Sequence, residues 1–314
     1  MNTRLAIVIP AYKIKFFDAA LASVANQSNK NFKVYISDDG SKEDIKAVAE
    51  KYAGRLDIEY LRFEDNAGSY DLVKHWNRSV ELATEEWIWL FSDDDIMSPG
   101  CVQAFFDALK ATNERHNIYR FNIEMIDADG RVICVKDPHP ELESGFDFLQ
   151  RRLQSRSLSA AVEYIFRKDV FKLNNGFVNF PKAYCSDDAS WITFTGEIPI
   201  YTIRHETVSW RASGVNISSA KEFACSKALA LLLFVKYIVK RYPSQKMALL
   251  QLARPWFFEN LGYINGKLSF AEIRRISKQF NDTFETKSGS FKEITLFHLR
   301  RTRLGGILYR WLKF

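Results

Sequence analysis

The 314-residue sequence predicts an α/β fold, a doubly wound sheet followed by a helical C-terminal region, on three observations. Four short apolar runs alternate with three helically spaced segments within the first ninety residues. Three of those runs end in polar or acidic turns, as strands do at the carboxyl edge of a parallel sheet. The charge balance then changes sign along the chain. Residues 221–314 hold 18 Lys and Arg against 6 Asp and Glu, whereas residues 1–220 hold 26 against 32. The basic character therefore belongs to the tail, and the division expected is 1–220 for the sheet domain and 221–314 for a basic helical region. Within the first part, a further division near residue 100 is expected, between 1–100 and 101–220.

Each element has its own signal. Residues 5–10 (LAIVIP) are a continuous, β-branched run of a strand buried on both faces, which places it centrally. Phe17, Leu21 and Val24 give helical spacing over 16–26. Residues 32–37 form a second strand ending in Asp38, Asp39 and Gly40. Ser41 with Asp44 reads as a capping box opening a helix through Ala53, and 58–63 is a third strand. Gly68 turns the chain into a helix carrying Leu72, Val73, Trp76 and Val80. The fourth strand, 87–91, stops abruptly at Ser92, Asp93, Asp94 and Asp95. Farther on, 118–126 and 131–135 flank the turn Asp127-Ala128-Asp129-Gly130, a hairpin signal. After Lys221, Leu229, Leu232, Leu233 and Tyr237, then Ile273, Ile276 and Phe280, have helical spacing. Pro243 and Pro255 break this region into pieces, and 286–290 reads as a linker.

Composition excludes several classes. At 47% hydrophobic and 26% charged residues the chain is neither disordered nor collagen-like. Cys101, Cys134, Cys185 and Cys225 lie far apart without a CxxC spacing, so neither a zinc site nor a disulfide framework is expected, which fits a reducing cytoplasm. No signal peptide is evident. The longest apolar run, 228–239, contains Lys236 and falls short of the roughly 20 residues of a membrane span.

Three adjacent carboxylates at a strand end repel one another and call for a cation, and a hard divalent metal bridging to a phosphate suits oxygen ligands. The alternative is an acidic loop capping the helix that follows Gly100. The loop after the first strand, AYKIKFF, has no glycine, so neither a dinucleotide fingerprint nor a P-loop is present. A nucleotide here is expected to be held by carboxylates, through a metal and through hydrogen bonds to base or ribose.

The segments IVIPAY, ISDDGS, DNAGSYDLVKHWN and FSDDDIMSP, in this order and spacing, resemble the inverting family 2 glycosyltransferases of GT-A fold. The resemblance is close over the first hundred residues and fades toward residue 215; it implies that 1–100 is a nucleotide-binding half and 101–220 an acceptor half. It implies a GT-A-like mixed sheet and a nucleotide-sugar donor, with UDP as its carrier. It also implies a divalent cofactor, Mn or Mg, and a glycan or lipid-linked saccharide as acceptor. By the resemblance Pro10 and Tyr12 flank the nucleobase, Asp39 or Asp38 accepts from uracil N3–H, and Asn66 and Gly68 line the donor site. Asp93 and Asp94 hold ribose and diphosphate, and Asp94 and Asp95 hold the metal. Aligned on Ile96 and Pro99, the family's Asp-x-Asp-Asp becomes Ser92-Asp93-Asp94-Asp95, which makes Asp94 a ligand. Read as Asp93-x-Asp95 the stretch keeps a complete Asp-x-Asp, and both registers stand. Where the family has a small residue, Arg and Asn, this chain has Trp76-Asn77-Arg78, so Arg78 is read as part of a solvated helix face.

The resemblance resumes at 164–177 and at Cys185-Ser186-Asp187-Asp188. There Asp188 matches the family's catalytic base and Asp187 replaces a Glu; helix capping is the competing role for both. Residues 208–216 look like the family's mobile segment over the donor, with Arg211 on the diphosphate and Gly214 as hinge. His205 reads as an ordinary surface or packing histidine. The end of the chain, 297–314, mixes Arg and Lys with Leu304, Ile307, Trp311 and Phe314, as interfacial helices do, or else packs on the body. A peripheral position on the inner face of the cell membrane would suit a lipid-linked acceptor.

Two other classes share parts of the pattern. A sugar-nucleotide pyrophosphorylase needs a glycine-rich first loop, and a phosphorelay receiver is far shorter and has no second acidic region. Nucleic acid is not an expected partner, because no recognised motif accompanies the basic charge.

Overall fold

The structure is a computed structural model and describes residues 3–214, 220–264, 268–286 and 290–301. It divides into two compact units, Met1–Asn179 with Ser186–Gly214, and Phe180–Cys185 with Val215–Phe314.

The first unit is built on one mixed sheet. In chain order it contains β1 (Leu5–Ala11), α1 (Phe17–Ala25), β2 (Phe32–Asp38), α2 (Ile45–Glu50), β3 (Ile58–Arg62), α3 (Leu72–Leu82) and β4 (Trp87–Leu90). There follow β5 (Ile96–Met97), α4 (Cys101–Ala111), β6 (Ile118–Ile126), β7 (Val132–Val135), β8 (Leu142–Glu143), α5 (Gly145–Leu153), β9 (Tyr164–Arg167), α6 (Lys168–Leu173), α7 (Ser186–Thr195) and β10 (Ile200–Arg211). The sheet order is β3-β2-β1-β4-β9-β6-β10-β5, with β7 added on β6 and β8 on β10. The first four strands are parallel and β1 is central, as its unbroken apolar run requires. Leu5, Ala6, Ile7, Val8 and Ile9 are all fully buried. β9 enters antiparallel between β4 and β6, pairing Ile165 with both Trp89 and Tyr119. The expected hairpin is the β6–β7 pair, closed by Asp127, whose side chain accepts from the amides of Asp129 and Arg131.

The expectation for the second helix is corrected here. Ser41 does not cap the second helix: Asp44 does, accepting from the Ala47 amide at 3.0 Å, and the helix ends at Glu50. Ser41 instead donates through Oγ to the Tyr12 carbonyl at 2.6 Å, tying two strand-end loops together. Residues 208–211, the start of the segment expected to be mobile, form the end of β10, where Val208 to Arg211 pair with Ile123 to Ile126.

The second unit contains α8 (Ala224–Arg241), α9 (Lys246–Tyr263), α10 (Phe270–Phe284) and α11 (Ser290–Arg301). A capping box of Ser269 and Glu272 starts α10, whose Ile273, Ile276 and Phe280 are buried on one face. Pro243 separates α8 from α9 as expected, but Pro255 lies inside α9 without ending it. Its neighbours Ala253, Trp256 and Phe257 are buried, and that packing carries the helix through a lost hydrogen bond. The residues 302–314 expected to contact a membrane lie outside those described. No helix among the described residues is long and apolar enough to cross a membrane.

Candidate active site

The carboxyl edge of β1, β2 and β4 is where the acidic turns meet. Asp93, two residues past the end of the fully buried WIWLF run, turns its carboxylate onto the loop after β1. Its Oδ2 accepts from the amides of Tyr12 at 2.8 Å and Lys13 at 2.9 Å. With Ser41 on the Tyr12 carbonyl, three strand ends are fastened into one rim. The Tyr12 ring is left 37% exposed above it, free to stack on a planar ligand. Pro10 precedes it in β1, paired with Ser37.

Beside this rim is a buried carboxylate pocket. Asp38 is fully buried and accepts from the Ser41 amide at 2.7 Å, the Tyr60 hydroxyl at 2.6 Å and Arg62 at 2.7 Å. Asp39, 2% exposed, accepts from the amides of Ala67 at 3.1 Å and Gly68 at 2.7 Å. Gly68 permits this approach, since a Cβ there would stand 2.7 Å from Asp39 Oδ2. Asn66 shapes the same turn by accepting from the Ser69 amide.

Arg78 is not part of a solvated helix face. Its guanidinium bonds Asp39, the Asp65 side chain and the Asp65 carbonyl, and lies 3.7 Å over the Phe63 ring. Burial still pushes the Asp39 pKa up, against the opposing bonds from Gly68 and Arg78. His75, packed against the same carboxylate at 3.1 Å, is pushed down to about 3, first by burial and then by the Arg78 charge, and is neutral. The pocket is thus a carboxylate with one fixed cation and two backbone donors. A carboxylate offers about four acceptor positions, so Asp39 retains capacity for a ligand N–H.

The triple-acid stretch is divided among three tasks. Asp93 holds the first loop. Asp94 accepts from Ser92 Oγ at 2.9 Å and from Ser213. Asp95, 1% exposed, accepts from the Arg211 amide at 2.7 Å through Oδ1, while its buried Oδ2 has no hydrogen-bond partner among the described residues. All three pKa values are raised: Asp93 to about 6 by burial and then by Asp94, Asp95 well above the usual range for the same two reasons, and Asp94 by burial. An orphaned carboxylate oxygen among acids that resist ionising fits a divalent cation. No group of three potential ligands is assembled among the described residues, so such an ion would need substrate oxygens and water to complete its shell, as Mg²⁺ and Mn²⁺ commonly do. Arg211, expected on the diphosphate, has its guanidinium on the carbonyls of Asp94, Asp127 and Ala128, and over the Phe16 ring. Gly214 sits at φ 73°, a conformation open to glycine, just before residues that lie outside those described.

The second acidic region begins α7. Asp188 is 2% exposed and both its oxygens are taken by Arg152 at the end of α5, at 2.8 to 3.1 Å. Asp187, half-buried, has its pKa pushed up to about 7 by burial and then by the Asp188 charge. The sheet brings α7 to the same edge as the triple acid. Trp191 of α7 stacks on Tyr164 at 4.4 Å, and Tyr164 begins β9. Because β9 runs antiparallel to β4 with Ile165 opposite Trp89, its start lies where β4 departs toward Asp93. Arg152 carries no signal in the sequence and Arg78 shows there only as a helix-face residue, because their partners are 36 and 39 residues away, beyond any local spacing.

Comparison with known proteins places this geometry. Residues 6–160 match the model of glycosyl transferase family 2. The chondroitin synthase of Pasteurella multocida (strain Pm70) is 30% identical over 115 residues, which are 36% of this chain and 12% of the relative. That of Escherichia coli is 31% identical over 107 residues, 33% of this chain and 15% of the relative. The chain therefore matches only a small part of the length of these curated relatives. Among solved structures, S. aureus TarS 1-349 in complex with UDP-GlcNAc superposes with a TM-score of 0.69 at 16% identity, covering 96% of this chain and 88% of that one. The mannosyltransferase PcManGT of Pyrobaculum calidifontis, in complex with GDP-Man and Mn2+, gives 0.54 at 14% identity, covering 97% and 82%. These likenesses are of fold, and the fold is that of the GT-A glycosyltransferases.

Proposed function

With residues 6–160 forming a family 2 glycosyltransferase domain, we propose that the chain moves a sugar from a nucleoside-diphosphate donor to a hydroxyl of a glycan or lipid-linked saccharide, with inversion. The observation that carries this reading is the fastened rim: Asp93 on the Tyr12 and Lys13 amides, Ser41 on the Tyr12 carbonyl, and Asp39 sunk beside them. In this reading Tyr12 and Pro10 flank the base. Asp39, oriented by Arg78, Ala67 and Gly68, accepts a base N–H, which favours uracil and hence a UDP-sugar. Such a sugar is also what the TarS neighbour binds.

A divalent ion, Mn²⁺ or Mg²⁺, fits Asp95 with Asp94 and, when bound, would neutralise the departing diphosphate. The protein's own share is to hold the donor, orient the acceptor and take its proton. The acceptor oxygen bonds the anomeric carbon as the bond to the phosphate oxygen breaks, the electron pair leaves on the diphosphate, and the hydroxyl proton passes to a carboxylate at the start of α7. No covalent nucleophile is needed, so one in-line step inverts the anomer. The basic region after Lys221 is proposed to bring the enzyme to an anionic membrane surface where a lipid-linked acceptor would lie.

Titration with UDP, GDP and ADP, each with Mn²⁺ and with excess chelator, tests the reading. UDP binding that needs the metal and is lost in Asp95→Asn supports it. Absence of binding by all three nucleotides contradicts it.

A further inference from the structure

The two acids at the start of α7 differ in what they can do, because adjacent helical residues point about 100° apart. Asp188 is buried and gripped by Arg152 through both oxygens, and Arg152 is itself fixed by a bond to the Ser157 carbonyl at 2.8 Å. A carboxylate in a bidentate guanidinium pair directs its lone pairs at the cation rather than at an incoming hydroxyl. Asp187 is the half-buried member of the pair, one residue nearer the helix start, where the amides of Asp187 and Asp188 donate to its carboxylate. The chain reaches it through Cys185 at φ 64°, a left-handed conformation that few non-glycine residues adopt.

Resting on the transferase reading above, we infer that Asp187 is the proton acceptor of the reaction, and that Asp188 with Arg152 is the ion pair that positions it. The reverse assignment follows from the family resemblance, in which Asp188 takes the place of the base. The geometry divides the roles differently: the ion pair locks the first turn of α7 to the last turn of α5, and stacking of Trp191 on Tyr164 locks its second turn to the sheet edge. Asp187 is then presented from a fixed helix at the edge where β4 leads to Asp93. In the step itself the acceptor O–H proton goes to an Asp187 oxygen while the acceptor oxygen bonds the anomeric carbon. The phosphate oxygen leaves with the bonding pair, and Asp187 afterwards returns the proton to water.

The charged groups facing Asp187 agree with this. Asp188 on its own helix and Glu163 just before β9 disfavour its ionisation, and Arg152 on α5 favours it. Burial and the Asp188 charge prevail, and the carboxyl is pushed up to about 7, near the pH at which a general base works best. A base must be deprotonated to act. The rate should therefore be low below about pH 7 and reach a plateau above it.

The test is UDP release from UDP-sugars, beginning with UDP-GlcNAc and Mn²⁺ and with water as acceptor, in wild type, Asp187→Asn and Asp188→Asn. Asp187→Asn should fold with unchanged thermal stability, bind UDP within a few-fold of wild type and lose roughly 100-fold or more in kcat, without the acid limb of the pH profile. Asp188→Asn should melt lower, with any remaining activity keeping that limb. Asp187→Asn turning over at wild-type kcat with its acid limb intact would overturn the assignment while leaving the transferase reading standing, and it does so even when Asp188→Asn fails to fold. Wild type releasing UDP from none of the donors would instead overturn the transferase reading and this inference with it.

Discussion

Replacing Arg78 by Ala tests the buried nucleotide pocket through its energetics. The guanidinium bridges Asp39 and Asp65 and covers the Phe63 ring at 3.7 Å, while Asp39 is 2% exposed. Removing one partner of a buried pair costs about 3–5 kcal/mol, and because Arg78 retains some solvent contact the lower end, about 3 kcal/mol, is expected. For a domain of about 200 residues each kcal/mol moves Tm by about 2–4 °C, so Arg78→Ala should melt about 6–12 °C lower. The loss depends on pH in a definite direction. The folded pKa of Asp39 already lies above its ordinary value because of burial, and removing the opposing cation raises it further. A carboxylate with a raised folded pKa is least harmful when protonated. The deficit should therefore grow as pH rises from the ordinary carboxylate range toward the raised value and shrink on acidification. Asp39→Asn in the Arg78→Ala background should recover part of the stability, since the unpaired charge is then gone. Differential scanning calorimetry between pH 5 and 8, with UDP titration at each pH, reads both effects. A variant within about 2 °C of wild type at every pH, with unchanged UDP affinity, would refute the pocket's electrostatic account.

Other predictions follow from separate parts of the molecule. Excess chelator should abolish tight nucleoside-diphosphate binding, and Asp94→Ala should do the same; calorimetry showing equal affinity with chelator present would contradict the metal's role. Glu143→Ala should destabilise by about 3–5 kcal/mol, because it leaves the fully buried Arg120 without its anion; denaturant unfolding unchanged from wild type would show the pair to be energetically idle. Truncation before Phe297 should reduce cosedimentation with anionic liposomes while sparing UDP release, and liposome binding unaffected by truncation would place any membrane contact elsewhere.

The parts of this fold that are local in sequence were readable, and the parts made by distant pairing were not. The runs LAIVIP and WIWLF become β1 and β4 because unbroken apolar character matches burial on both faces, and the acids after them mark the sheet's working edge. Insertion of β9 between β4 and β6, antiparallel to both, has no sequence signal, since register across some 75 residues is set by packing rather than by spacing. The candidate site divides in the same way. Asp39, Asp93 and Asp95 are visible as acids at strand ends, but the cations that decide what each carboxylate can do are not. Arg78 stands on a helix whose WNR segment departs from the family pattern, and Arg152 ends an amphipathic helix with nothing to mark it. Arg211 was visible, but its bonds to three backbone carbonyls depend on the β6–β7 turn lying beside Asp94.

The central claim, transfer from a nucleotide-sugar with inversion, is tested most directly by proton NMR of the products. An α-linked UDP-sugar is incubated with the enzyme and Mn²⁺, with water as acceptor, and the anomeric signals are followed before mutarotation. The account predicts UDP release with the β-anomer of the free sugar as the first product, and loss of both in Asp187→Asn. Release of the α-anomer as first product, or no release of UDP from any UDP-sugar offered, would contradict it.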